Sequence, residues 1–302
     1  MNAPPTTEDR IWAVMAHLSA LAFGVGVFLP IVGWSEQRRK SNYASFQCLQ
    51  ALGYQSLGYT IWILFALIIV ILQSLKTFST LLAAADSGAD FESLVSLAMT
   101  GDFIVMMGLI GMYSLMPVVA AVACIFGKDF KYPILGHRLA RYLKYDPARE
   151  GWLDEEHEDR WAAAMGHFSV IIVLWGALAP LTAWIMQGKR SQFLKFQSTQ
   201  ALVFQAGTLF LYFGAGTIYV IGFVSLVGAT GLLDNPGVDS AAGMTGLVIF
   251  LVSSLLVFVI ILLIPFFHIM GQWAGFRVLK GDAYRYPLVG RLVEKWMAKS
   301  SS

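Results

Sequence analysis

Four long stretches of the chain are almost purely apolar, at residues 51–75, 103–126, 201–229 and 244–276. The hydrocarbon core of a bilayer is about 30 Å thick, and roughly 20 helical residues are needed to cross it. Each stretch is long enough. The composition agrees, because 57% of the residues are hydrophobic and only 13% are charged, whereas soluble domains carry about 25% charged residues. The pattern predicts an all-α, polytopic transmembrane protein.

The polar positions between these stretches repeat along the chain. At an offset of 150 residues many identities fall in line without a gap. The matched residues are Glu8/Glu158, Asp9/Asp159, Arg10/Arg160, Met15/Met165, His17/His167, Ser19/Ser169, Pro30/Pro180, Trp34/Trp184, Ser41/Ser191 and the segments 46–55 and 196–205. Fixed-period self-similarity of this kind indicates a repeat architecture. The chain is therefore interpreted as a tandem duplication, with repeat 1 at 1–147, a polar linker at 148–160 and repeat 2 at 161–302.

Each repeat begins with a shorter apolar segment, at 11–34 and at 161–187, that contains residues able to interrupt a helix. The predicted helix breaks are Gly24, Gly26, Pro30, Gly176 and Pro180. By length alone, the segment is either one full span or a hairpin that enters and leaves the membrane on the same side.

The distribution of Lys and Arg separates these two possibilities, because short cytoplasmic loops carry an excess of both. If the first segments span the membrane, the basic residues divide almost evenly between its two sides. If they are re-entrant, only Lys76 of the 21 basic residues lies on the far side. The acids that collect beside it are Asp86, Asp90, Glu92, Asp102, Asp234 and Asp239.

We therefore predict two parallel repeats, each made of a re-entrant segment, two full spans and an interfacial amphipathic helix. The predicted location is the cytoplasmic (inner) membrane, with both termini cytoplasmic. The alternative has three spans per unit, which would give inverted repeats like those of many secondary transporters.

Two sets of glutamines precede full spans, and a histidine lies in the first apolar segment of each repeat. The candidate residues are Gln47, Gln50, Gln55, Gln197, Gln200, Gln205, His17 and His167. On a helix, the three glutamines of each set share one arc. One hypothesis is a clamp, in which Gln50/Gln55 and Gln200/Gln205 bind the interrupted segment of their own repeat with the histidines as partners, because broken backbone in lipid needs hydrogen bonds. The other hypothesis is a polar path or substrate site.

The recurring motifs resemble those of a known family. HLS early in an apolar segment, a proline, a tryptophan near its end, QALxFQ and a closing YP before a basic tail are similar to a bacterial membrane domain family of unknown function. That family is distantly similar to the Tic-twenty-like component of the plastid inner-envelope protein translocon. The resemblance covers nearly the whole chain, once per repeat, and implies a four-span layout. Typical members have one copy, so the duplication departs from the pattern.

Basic amphipathic stretches follow each Tyr-Pro pair. Their apolar residues share one side and their basic residues the other, which predicts helices lying on anionic headgroups. The predicted lipid-surface residues are Arg138, Arg141, Lys144, Arg291 and Lys295.

No catalytic or metal-binding motif is visible, and Cys48 and Cys124 have no metal-ligand spacing. The sequence therefore predicts no enzyme, no cofactor and no nucleic-acid partner. The expected partners are the lipid bilayer and other membrane proteins. The predicted function is a membrane scaffold, assembly factor or translocon-like component; the alternative is a channel or small-solute transporter with a polar path along the glutamine faces.

Overall fold

The structure, a computed structural model, describes residues 4–87, 91–147, 152–230 and 240–299, and every regular element in these ranges is helical. Repeat 1 contains α1 (Thr7–Leu18), α2 (Phe28–Gln37), α3 (Asn42–Gly53), α4 (Tyr59–Ser87), α5 (Phe91–Ile125) and α6 (Leu135–Tyr142). Repeat 2 contains α7 (Glu155–Phe168), α8 (Leu178–Gln187), α9 (Gln192–Thr230), α10 (Ala241–Leu279) and α11 (Val289–Lys299). The prediction of an all-α protein made of two parallel repeats is confirmed.

The first apolar segment of each repeat is a hairpin. In repeat 1 its arms are α1 with 12 residues and α2 with 10, which at 1.5 Å per residue reach about 18 and 15 Å. Each arm is therefore long enough for only half of a bilayer about 30 Å thick. The arms are joined by short 3₁₀ turns at Ser19–Ala22 and Val25–Val27, and in repeat 2 by one at Ser169–Ile172.

Glycine is required at the tip of each hairpin. A Cβ placed on Gly26 would lie 1.8 Å from the carbonyl oxygen of Ser19, and one on Gly176 would lie 2.0 Å from that of Ser169. No side chain fits at such distances. Gly24, with φ of 56°, adds a left-handed residue to the turn of repeat 1.

Pro30 and Pro180 lie inside a helix and not at the helix break that the sequence predicts. Both lie within the first turn of a helix, α2 and α8 respectively. A proline is tolerated there because the backbone N–H groups of the first turn have no partner within the helix. The interruption thus lies before the prolines, which begin the returning arm.

Four helices in the described ranges are long and apolar enough to cross a membrane. They are Asn42–Ala83, Ala98–Ile125, Gln192–Ala229 and Ala241–Leu279. The first of them joins α3 to α4 through a π-helical turn at Tyr54–Gly58, whereas α9 is a continuous α-helix of 39 residues. At 1.5 Å per residue α9 is roughly 58 Å long, which exceeds the thickness of the hydrocarbon core.

The second half of the predicted linker is helical. Residues 155–160 form the first turns of α7, with the side chain of Asp154 as the N-cap. The run of acids suits this position, because negative charge is favourable at the N-terminus of a helix. Residues 148–151 of the predicted linker lie outside the described ranges, as do Asp90, Asp234 and Asp239 of the predicted acidic side.

A buried ion-pair cluster at the start of α7 joins the two repeats. The guanidinium of Arg38 lies 3.2 Å from a carboxylate oxygen of Glu158 and 2.7 Å from one of Asp159. Arg190, from repeat 2, lies 2.5 Å from the same oxygen of Asp159. Burial raises the pKa of Glu158, while the Arg38 charge and a hydrogen bond from the Trp34 indole oppose this rise. The two hairpins are thus connected to each other at their polar ends.

The hairpin geometry makes a prediction about topology. In a cysteine-free background, single cysteines at the exposed positions Lys40 and Lys189 should be labelled by a membrane-impermeant thiol reagent from the same, cytoplasmic side. Cysteines at Thr80 and Ser240 should be labelled only from the other side. Labelling of the first two positions from opposite sides would contradict parallel repeats and would favour an inverted pair.

Candidate functional site

A closed polar cluster surrounds His17, which is completely buried. Its Nε2 lies 3.0 Å from Oε1 of Gln47, and its Nδ1 lies 3.0 Å from the hydroxyl of Tyr132. Because an amide oxygen only accepts hydrogen bonds, Nε2 carries the proton and donates it to Gln47. Nδ1 then accepts from the tyrosine hydroxyl, so the arrangement holds a neutral imidazole in one tautomer.

Repeat 2 contains the same cluster. His167 is completely buried, with its Nε2 at 3.0 Å from Oε1 of Gln197 and its Nδ1 at 3.1 Å from the hydroxyl of Tyr286. The same three residue types in the same bonding order, found twice, identify a feature of the repeated unit. We call these the histidine clusters: His17, Gln47, Gln50 and Tyr132 in repeat 1, and His167, Gln197, Gln200 and Tyr286 in repeat 2.

The glutamines of each cluster hold the Tyr-Pro segment that follows the second span. In repeat 1 the amide nitrogens of Gln47 and Gln50 both donate to the Phe130 carbonyl, at 3.0 and 3.1 Å. The Tyr132 N–H donates to Oε1 of Gln50 at 2.9 Å. Gln50 thus pairs with the backbone on both sides of one residue, as a neighbouring strand would.

The corresponding bonds recur in repeat 2. The amide nitrogens of Gln197 and Gln200 donate to the Tyr284 carbonyl at 3.1 and 2.8 Å, and the Tyr286 N–H donates to Oε1 of Gln200 at 3.3 Å. All four glutamines are completely buried. A buried amide without partners would be costly, and these bonds satisfy it.

The third glutamine of each set binds the end of the first hairpin arm. Gln55 donates to the Ala16 carbonyl at 3.1 Å and to the Ser19 hydroxyl at 2.9 Å. Gln205 donates to the Gly166 carbonyl at 2.7 Å and to the Ser169 hydroxyl at 3.3 Å. The last carbonyls of a helix have no partner within it, and these amides supply one. The Oε1 atoms of both glutamines are buried and have no hydrogen-bond partner among the described residues.

The glutamines of the hypothesised clamp have different binding partners from one another. Gln55 and Gln205 bind the interrupted segment as hypothesised. Gln50 and Gln200 bind the Tyr-Pro segment instead, and the partners of the histidines are Gln47 and Gln197.

Sequence reasoning missed the two tyrosines as histidine partners. Tyr132 is 115 residues from His17, so no local spacing connects them. A signal was nevertheless present, because Tyr132 and Tyr286 are matched between the repeats and each precedes a proline. A duplicated tyrosine and a duplicated histidine in one apolar unit are candidates for contact.

A further polar pair lies between the spans of repeat 2 only. The hydroxyl of Tyr212 contacts Nε2 of His268 in a short hydrogen bond. Alignment of Pro117 with Pro265, an offset of 148 residues in this part of the chain, places Ala120 opposite His268 in repeat 1. This hydrogen bond therefore has no counterpart in repeat 1.

The described residues contain no group of three or more His, Cys, Asp or Glu side chains close enough to hold a metal ion. Cys48 and Cys124 are buried free thiols.

The two basic helices differ in how they use their apolar faces. In α6 and the two residues that follow it, Leu139 and Leu143 are buried against the protein, and Arg138, Arg141 and Lys144 are exposed. Lys144 also forms an ion pair with Asp154 at 2.6 Å. The apolar face of α6 thus contacts the protein instead of lipid.

In α11 the basic residues Arg291 and Lys295 are exposed together with an apolar stripe. Leu288, Leu292 and Trp296 are 82%, 45% and 56% exposed. Their spacing of four residues places them on one side. This second helix has the surface expected of one that lies in a membrane interface.

Comparison with family models matches both repeats, at residues 8–139 and 158–293, to the magnetosome magnetite crystal formation protein family. The chain belongs to this family. The two matched ranges begin at Glu8 and Glu158, which are equivalent in the duplication, and each range contains one complete histidine cluster. The chain is thus a two-unit member with a membrane-associated role. No curated protein and no solved structure matches the chain, and the predicted likeness to a plastid translocon component gains no support.

The glycines at the hairpin tips give the first prediction from the site. Gly26→Ala and Gly176→Ala should each lower the free energy of unfolding by about 1–3 kcal/mol, because the new methyl group overpacks a carbonyl oxygen. Thermal unfolding in detergent measures the change. Gly214→Ala is the matched control, since nothing lies within 4 Å of a Cβ at that position in α9. Equal stability of all three variants would contradict the tight hairpin tip.

The basic residues of α6 give the second. Arg138→Glu with Arg141→Glu should weaken attraction to an anionic surface by about 1 kcal/mol per charge. In vesicles with anionic lipid, a protease that does not require Lys or Arg at its cleavage site should digest the segment 128–147 faster in the variant than in the wild type. The two proteins should be digested alike in neutral vesicles. An equal rate in anionic vesicles would exclude headgroup attraction at these residues.

Proposed function

We propose that this protein is a non-enzymatic membrane scaffold, whose two fused units present a rigid basic surface on the cytoplasmic side. The observation that carries the proposal is the closure of the histidine clusters. The polar groups that the sequence offers for chemistry or transport form hydrogen bonds within their own unit, the glutamine amides to its backbone and the histidines to its glutamine and tyrosine side chains.

A polar path would require these groups to face water or a substrate. Channels and transporters line their pathways with accessible polar groups or carbonyls. Here Gln47, Gln50, Gln197 and Gln200 have no exposed surface, and Gln55 and Gln205 are 3% and 2% exposed. Their amide nitrogens all have backbone acceptors. This distribution favours a structural role over conduction.

The ion-pair cluster between the repeats supports a rigid body. Loss of one partner would leave the others as buried, unpaired charges, which typically costs about 3–5 kcal/mol, so Arg38, Glu158 and Asp159 fix the position of the two hairpins relative to each other. The side chain of Arg38 is only 4% exposed and that of Glu158 only 3%. A fixed relation between two membrane units suits a component that positions others.

The family supplies the setting. Its description names the formation of magnetite crystals in magnetosomes. In such an assembly this chain would act as a membrane-embedded support, and its partners would be other membrane proteins. Proteins that co-purify with the tagged chain after mild solubilisation would identify them.

The scaffold and a polar path make different predictions for the glutamines. Gln50→Leu and Gln200→Leu should each leave a buried tyrosine N–H without its acceptor and a backbone carbonyl without one of its two donors. Each should lower the free energy of unfolding by about 1–3 kcal/mol. Ion leak through vesicles containing the variants should stay at the wild-type level. Melting temperature in detergent and leak in vesicles are measured on the same preparations.

Gln73→Leu is the matched control, because Gln73 lies on α4 away from both clusters and its replacement should not lower stability. A path would show the reverse result, with stability unchanged and leak altered in the Gln50 or Gln200 variant. That outcome would refute the structural role.

A further inference from the structure

Five aromatic side chains, which we call the aromatic series, lead from the first span of repeat 1 into its histidine cluster. The ring of Tyr132 stacks on that of Tyr54, with centroids 4.5 Å apart, and Tyr54 stacks on Tyr113 at 5.2 Å. Tyr113 in turn contacts Trp62 at 5.2 Å and Tyr59 at 5.5 Å. Tyr113 and Tyr132 are each only 2% exposed, whereas Trp62 and Tyr59 are half-buried on the first long apolar helix. Phenol and indole rings thus connect a buried tyrosine to the lipid.

Within the described part of the chain, Tyr132 is the member of the aromatic series that has a base beside its hydroxyl. A phenol that loses an electron also gives up its proton, and it does so readily when a base lies within hydrogen-bond reach. The Tyr132 hydroxyl donates to Nδ1 of His17 at 3.0 Å, and an imidazole can take up and return a proton. The Tyr54 hydroxyl donates instead to the Tyr113 carbonyl at 2.7 Å, and a peptide oxygen is not a base. An electron removed from the series is therefore replaced most favourably from Tyr132.

Repeat 1 also supplies a negative charge for the histidine once it is protonated. Gln47 accepts the Nε2 proton of His17, and its own amide nitrogen donates to a carboxylate oxygen of Asp129 at 3.2 Å. The same oxygen accepts from the Tyr145 hydroxyl at 3.1 Å, and the other lies 3.4 Å from the ammonium of Lys131, so these contacts hold the carboxylate beside the cluster. A nearby negative charge favours the charged form of an imidazole.

Repeat 2 has the same tyrosine–histidine pair without the other two features. Tyr286 stacks on Phe204 with centroids 4.1 Å apart, and Phe204 contacts Phe267 at 6.0 Å. A phenyl ring carries neither a hydroxyl nor an indole nitrogen, and it resists one-electron oxidation. Alignment of the two Tyr-Pro pairs places Ala283 where repeat 1 has Asp129. The oxidisable neighbours and the carboxylate are thus replaced together at the equivalent positions of repeat 2.

We propose that Tyr132 is a one-electron redox site, with His17 as the acceptor of its proton and the aromatic series as its route to lipid peroxyl radicals in the bilayer. A peroxyl radical beside Trp62 or Tyr59 takes one electron and, with a proton from water, becomes a hydroperoxide. The electron comes through the series from Tyr132, which becomes a neutral radical as its proton moves to Nδ1 of His17. A water-soluble thiolate then returns one electron and becomes a thiyl radical, while His17 returns the proton. This activity goes beyond the proposed scaffold and does not rest on it.

Electron paramagnetic resonance on the full chain in vesicles of unsaturated phosphatidylcholine tests the site. Photolysis of a lipophilic azo initiator generates peroxyl radicals in the bilayer, and the samples are frozen immediately afterwards. The wild type should show a tyrosyl radical that falls about tenfold in Tyr132→Phe, because no other phenol of the series has a base to take its proton. Tyr286→Phe is the matched control, since it removes the same hydroxyl from the same type of histidine partner, and it should keep the signal. Equal signals from the two variants would overturn the assignment.

The route is tested by interrupting the aromatic series outside the histidine cluster. Tyr54→Phe keeps the ring and gives repeat 1 the residue that Phe204 supplies at the equivalent position of repeat 2, so the fold has a precedent for it. Tyr113→Phe removes the next phenol along the series. Each variant should lower the tyrosyl signal to the level of Tyr132→Phe while its melting temperature in detergent stays near that of the wild type. A full signal in both variants would show that these rings only pack the span and would overturn the route.

Discussion

The constraint on which this structure depends is that an interrupted backbone at membrane depth must find hydrogen-bond partners inside the protein. Each hairpin stops a helix in the middle of its apolar segment and thereby frees the carbonyls of its last turn. Gln55 and Gln205 bind these carbonyls, while the histidine clusters attach the same arm to the Tyr-Pro segment about 115 residues away. The buried glutamines follow from this one requirement.

The two repeats have kept the same hydrogen bonds around the hairpin but differ in how closely their spans pack. The hydrogen bonds among histidine, glutamines and Tyr-Pro segment are the same in both repeats, although Gln47 also donates to Asp129 in repeat 1. By contrast, the spans of repeat 2 approach closely through Gly222 against Ser253 and Gly246 against Ala229, whereas no residue in the most apolar window of the first span of repeat 1 is fully buried. Lipid accommodates loosely packed spans, because it is as apolar as the side chains it meets. It cannot accommodate an unpaired amide, and this difference explains which parts remained alike.

The architecture could be predicted from the sequence because the signals for it lie within short segments or add up along the chain. Apolar length gave the four spans, the offset gave the repeats, and the position of Lys76 relative to the other basic residues favoured the hairpins. The site was only partly predictable. A helix places Gln47, Gln50 and Gln55 on one side, but which of them reaches His17 depends on how α1 crosses α3, and sequence spacing does not contain that angle. The helix in the second half of the predicted linker was missed because its charged residues were assigned to a polar linker, whereas Glu158 and Asp159 form ion pairs with Arg38 in a contact between the repeats.

The central position of α7 has a consequence for synthesis of the chain. The Gly53 face of repeat 1 leaves the ribosome roughly 100 residues before Trp161, which at about 5–20 residues per second is a delay of about 5–20 s. During this interval repeat 1 is inserted with its principal contact surface open. A neighbouring nascent chain that has already produced its own α7 is then a competitor for that surface. Exchange of α7 between chains, a form of domain swapping, is thus the characteristic misassembly of a tandem protein whose second unit completes the first.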